Sequence, residues 1–132
     1  MAEKHKLVEE LIQSALPEAF AAKQVEKVED AWKILIGDHL LTVEVEDRVQ
    51  RICLSVQSMH DVGELTRDRL ILLMQYSSLW RMTDGVYFAL DENEQPILMS
   101  YFNFVELNQP SVRSIIFNLL DKFSIWSDVI NS

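Results

Sequence analysis

Little in this chain suits covalent or metal chemistry. Its 132 residues hold one cysteine and three histidines. A lone Cys53 excludes an intramolecular disulfide and fits a reducing compartment. It falls within an alternating strand pattern, where a thiol acts as a small packing residue rather than a nucleophile. His5, His39 and His60 fall in a helix, a turn and a loop. None has a Cys, His or carboxylate at metal-ligand spacing, so neither a metal nor a cofactor is expected. No GxSxG, P-loop or GxGxxG occurs, and the hydroxyls lack His–carboxylate company in sequence. No catalytic residue is assigned, and the chain reads as a non-enzyme.

Basic residues are also scarce. Twelve Lys and Arg stand against 21 Asp and Glu, a net charge of −9. Phosphate neutralisation needs a basic face, so nucleic acid is excluded as a general partner. The acids run from Glu3 to Asp128 with no acidic tail, which suits a soluble domain kept apart from its copies by charge. No apolar run approaches the ~20 residues of a membrane span. Acidic residues soon follow Met-Ala-Glu-Lys-His-Lys, so the start does not read as a signal peptide. A cytoplasmic location without membrane partners is expected. Glycine and proline number three each, while 48% of residues are hydrophobic and 25% charged, a globular composition. The length fits one α+β domain over 1–132 that buries roughly two thirds of its unfolded surface.

What the chain does have is periodicity. Leu7, Val8, Leu11, Ile12, Ala15 and Leu16 recur at helical spacing, predicting a first helix over about Glu3–Leu16. Pro17 ends it and can open a short second turn. Three strands follow by alternation: Trp32, Ile34 and Ile36; Leu41, Val43 and Val45; Ile52, Leu54 and Val56. Their short connections demand an antiparallel meander. A leucine-rich helix then runs from Val62 or Glu64 to Trp80. Val86–Leu90 and Ile97–Tyr101 form a hairpin across an acidic turn, Asp91-Glu92-Asn93-Glu94. A last helix runs from Gln109 or Pro110 to Ile130, with Asn108 as its cap.

The leucine-rich helix is apolar on two sides. Leu65, Leu72, Tyr76 and Leu79 make one stripe, Leu70, Ile71 and Met74 fall off it, and Leu73 joins the two. Two apolar sides need two packing partners. The sheet is one. A dimer mate is the simplest second, and the first or last helix is the alternative. Leu70, Ile71 and Met74 are therefore candidate dimer-interface residues.

The order α-β-β-β-α-β-β-α resembles the class I type III secretion chaperones, the Tir-chaperone (CesT-like) family, over nearly the whole chain. The local resemblance lies in Leu70-Ile71-Leu72-Leu73-Met74, in Gly85-Val86-Tyr87-Phe88-Ala89-Leu90-Asp91 followed by Pro96-Ile97-Leu98-Met99, and in Trp126. Tyr76-Ser77-Ser78-Leu79-Trp80 departs from the Asn and following glycines common in that family. YbjN-like domains share the chaperone-like fold and a similar hairpin, and they occur outside secretion. The secretion-chaperone resemblance implies a dimer that winds an extended N-terminal segment of a secreted effector around itself without ATP. The YbjN resemblance implies a regulatory or interaction domain instead. Candidate client-binding residues are Leu7, Leu11, Trp32, Ile34 and Leu35, on the first helix and the open sheet face.

Overall fold

The computed structural model describes residues 2–21, 24–59, 65–78, 86–103 and 109–131. Helix α1 spans Ala2–Ala15 and stops where Pro17 starts the short α2, Pro17–Ala21. Three strands, β1 (Val25–Val28), β2 (Ala31–Ile36) and β3 (His39–Glu46), lead through a single 3-10 turn at Asp47–Val49 into β4 (Arg51–Ser58). Helix α3 covers Arg67–Ser78, strands β5 (Tyr87–Leu90) and β6 (Pro96–Asn103) form the hairpin, and α4 covers Gln109–Asn131. Leu65 and Thr66, expected within the leucine-rich helix, precede α3, while the expected ends Val62 or Glu64 and Trp80, with Leu79 and the Asn108 cap, lie outside the described residues.

The strands make one antiparallel sheet in the order β1-β2-β3-β4-β6-β5. Register sets which side chains share a face. Ile34 pairs with Leu41, Leu41 with Val56, Val56 with Leu98 and Leu98 with Phe88, so one apolar row crosses five strands. A second row joins Trp32, Val43, Leu54 and Ser100. Helices α1 and α4 pack against each other, and α4 lies over β4 and β6. Val8 and Ile12 of α1 and Ile116, Leu119 and Phe123 of α4 bury against those rows. The opposite face is mixed, with Glu44, Ser55 and Tyr101 between apolar residues.

Helix α3 is held at the β5 edge. Thr66 Oγ1 accepts the Arg69 N–H at 3.3 Å at its start. Near its end, Ser77 Oγ accepts the Phe88 N–H at 2.8 Å and lies 3.0 Å from the Leu73 carbonyl. Tyr76, Phe88 and Trp126 stack edge-to-face with ring centroids 4.7–5.9 Å apart, tying α3 and β5 to α4.

Three sequence expectations change. Val25–Val28 forms a strand that alternation did not mark, because Glu26 and Lys27 interrupt four mostly exposed residues. The buried residue of α3 is Leu73, not Leu72, which is 43% exposed. One position is about 100° of helix, and the anchoring of Ser77 to β5 sets that phase. Trp32 and Ile34 lie on the helix-covered face at 0% exposure rather than on an open one.

Candidate functional site

Among the described residues, two open and mostly apolar surfaces stand out. The first is a groove where the end of α1, the β2–β3 turn and the first half of α4 meet. It encloses about 570 Å³ and is lined in part by Leu16, Leu35, Ile36, Gly37, Arg113 and Phe117. Pro17 fixes one wall by stopping α1. Gly37 sits at φ +59, a left-handed turn conformation that favours glycine, and a Cβ there would meet open space. Phe117 is 45% exposed, with the Arg113 guanidinium 5.6 Å from its ring centroid. Glu18 and Gln24 also line the groove, so an aromatic anchor stands in a mostly apolar trough that carries one cation and one carboxylate, which suits an extended peptide with apolar side chains. Strand β1 forms one edge of the sheet beside this groove, and an edge strand offers unpaired backbone donors and acceptors.

The second surface lies on α3 and β5. Leu70, Leu73, Met74, Ser77, Phe88, Ala89 and Leu90 line a shallow depression of about 340 Å³. Met74 is 72% exposed, Leu90 47% and Ile71 40%. Leu70 is half-buried. Leu72, 43% exposed, lies on another side of this helix, which buries only Leu73 fully among its described residues.

On the mixed face, Arg51 bridges to Glu46 at 3.2 Å and lies 4.1 Å from the Tyr101 ring centroid. The bond to Glu46 holds the Arg51 guanidinium above its usual range. Tyr101 stacks on Tyr87, and its hydroxyl is pushed up, first by its hydrogen bond with Tyr87 and then by burial. Burial pushes the Cys53 thiol up to about 11, which leaves it protonated and a poor nucleophile.

Of the three dimer-interface candidates, Leu70 and Met74 line the α3–β5 depression, while Ile71 is 40% exposed on the same helix. The structure separates the five client candidates. Leu35 lines the groove, Leu7 is 44% exposed on α1, and Leu11 packs partly against the core. Trp32 and Ile34 are interior. Sequence reasoning missed Arg113 and Phe117. The available signal was a large aromatic lying off the Val112–Ile116–Leu119–Phe123 stripe of the last helix.

No family model matches the sequence, and no curated protein matches it. Solved structures do match. A chain of the ExsC–ExsE complex superposes with a TM-score of 0.73 at 18% identity, over 90% of this chain and 92% of that one. The chain has a secretion-chaperone-like fold. The HopA1–SchA chaperone–effector complex provides another match, with a TM-score of 0.67 at 14% identity over 89% of this chain and 94% of that one. Near-complete coverage in both directions means that the likeness extends over most of the chain rather than over one part of it. Among the described residues, no helix is long and apolar enough to cross a membrane.

Proposed function

We propose that this chain is a cytoplasmic, homodimeric chaperone that binds an extended N-terminal segment of a secreted effector and keeps it competent for export. It works by binding alone, without ATP, cofactor or catalysis. The observation that carries this reading is the fold itself, shared over about nine tenths of the chain with chains of the ExsC–ExsE complex and of the HopA1–SchA chaperone–effector complex. The open groove and the free β1 edge give the segment a place to lie. Backbone pairing at β1 would supply affinity for any sequence, while Phe117, Leu35 and Leu16 would select apolar side chains. The α3–β5 strip, with Leu70, Ile71 and Met74, would face the second protomer. A two-fold axis there would leave both grooves facing outward, able to hold one long segment across the dimer.

The test is capture from the native host's lysate with tagged protein, followed by mass spectrometry and limited proteolysis. One dominant client, protected from protease over a segment near its N-terminus, is the expected result. A folded signalling partner, or a host without a secretion apparatus, would instead favour a YbjN-like regulatory domain of the same fold.

A further inference from the structure

The end of the sheet farthest from the groove turn gathers three ligand-type side chains from distant parts of the sequence. His5 comes from the first turns of α1, Asp30 from the β1–β2 turn, and Asp47 from the turn after β3. His5 Nε2 lies 3.5 Å from Asp30 Oδ1 and 3.5 Å from Asp47 Oδ2. All three donor atoms fall within 4.8 Å of one another. We propose that His5, Asp30 and Asp47 form a divalent-cation site of the zinc class, which clips α1 to the end of the sheet.

Geometry favours zinc among divalent ions. Bonds of ~2.0–2.2 Å in a tetrahedron place neighbouring donors roughly 3.3–3.6 Å apart. Both His–Asp separations already have that value. The wider Asp30–Asp47 gap can close cheaply, because Asp30 sits on a turn with its side chain 59% exposed. One imidazole nitrogen and two carboxylates suit zinc better than magnesium or calcium, which take oxygen-only sets. A neutral imidazole and two carboxylates carry a charge of −2, which a divalent ion balances.

A second observation is independent of the donor spacing. Asp47 Oδ1 is buried and has no hydrogen-bond partner among the described residues, and His5 Nε2, also buried, meets only the two carboxylates at 3.5 Å without a hydrogen bond. The Trp32 ring packs edge-on to His5 at 6.2 Å and holds the imidazole against the end of the sheet. Unpaired buried polar groups are costly and call for a partner. The nearby cation Lys27 lies 5.3 Å from the Trp32 ring centroid. The exposed side of Asp30 leaves a coordination position for water.

The test uses the full chain without a polyhistidine tag and with zinc chloride as the only added ligand. Isothermal titration is expected to show one zinc per chain, and thermal unfolding a rise in Tm that EDTA reverses. D30N is exposed enough to keep the fold. It should weaken zinc binding at least about tenfold, the loss that follows even removal of an outer-sphere partner. H5Q should do the same, while H39Q and C53S should bind as wild type. Cobalt substitution should give the visible absorption of a tetrahedral N/O site. No zinc heat, or zinc binding that survives D30N as an adventitious surface ion, would overturn the proposal. So would H5Q and D30N lowering stability with no zinc dependence, which would make the cluster an ion pair only.

Discussion

Met74 is the most exposed large apolar side chain among the described residues, at 72%. Replacing it with aspartate tests the α3–β5 strip as the dimer surface. Fully burying a methionine is worth about 1.5–3 kcal/mol, so covering what is open here contributes roughly 1–2 kcal/mol per side chain. A two-fold interface uses each residue twice, giving roughly 2–4 kcal/mol, or about a 30- to 700-fold change in dimer Kd. Aspartate adds the cost of desolvating a charge, so these values are lower bounds. The protomer should hardly notice, because an exposed side chain away from special features changes folding stability by within about 0.5 kcal/mol. Sedimentation velocity over a dilution series reads the dimer Kd, and urea unfolding of the monomer reads the fold. A variant that dimerises as tightly as wild type would refute this interface. A wild-type chain that stays at its 15.3 kDa monomer mass at every concentration would refute the dimer altogether.

Trp32→Ala should cost about 3–5 kcal/mol in urea unfolding, as large-to-small changes in a packed core do, whereas Leu7→Ala on the outer side of α1 should stay within about 0.5 kcal/mol. A Trp32 variant as stable as wild type would mean that the β2 register is wrong. Phe117→Asp should leave the dimer intact and weaken client capture by about 2 kcal/mol, roughly 30-fold, if Phe117 is the anchor of the groove; undiminished capture would remove it from the site. Burial raises the Cys53 thiol from 9.0 to about 11. The unfolded thiol therefore ionises first, and its contribution to stability, full below pH 9, should fade as pH rises toward 11. C53S should flatten that part of the stability–pH curve. A wild-type curve that C53S leaves unchanged would show that the thiol makes no such contribution.

The sheet was legible because alternation survives in a strand with one wet face: Leu41, Val43 and Val45 alternate in sequence and are all buried. Which face becomes the interior was not legible. Trp32 and Ile34 alternate with Lys33 and Leu35, and only register and helix placement decide which set meets α1 and α4. The apolar character of α3 was legible from composition, since Leu70–Met74 is apolar all round, but the same uniformity hid the helix phase and put Leu72 where Leu73 belongs. Strand β1 escaped notice because Val-Glu-Lys-Val carries almost no hydrophobic pattern. The His5–Asp30–Asp47 cluster was invisible for a different reason. Its members lie far apart along the chain, and turns rather than a local motif bring them together, so a search for ligand spacing predicts no metal.

The most direct measurement of the central claim is hydrogen–deuterium exchange of the chain alone and in complex with its captured client. The account predicts slowed exchange in β1 and in the groove wall of α4 around Arg113–Phe117, with the α3–β5 strip equally protected in both states because the dimer already covers it. Protection confined to other elements, with β1 and that part of α4 unchanged, would contradict it.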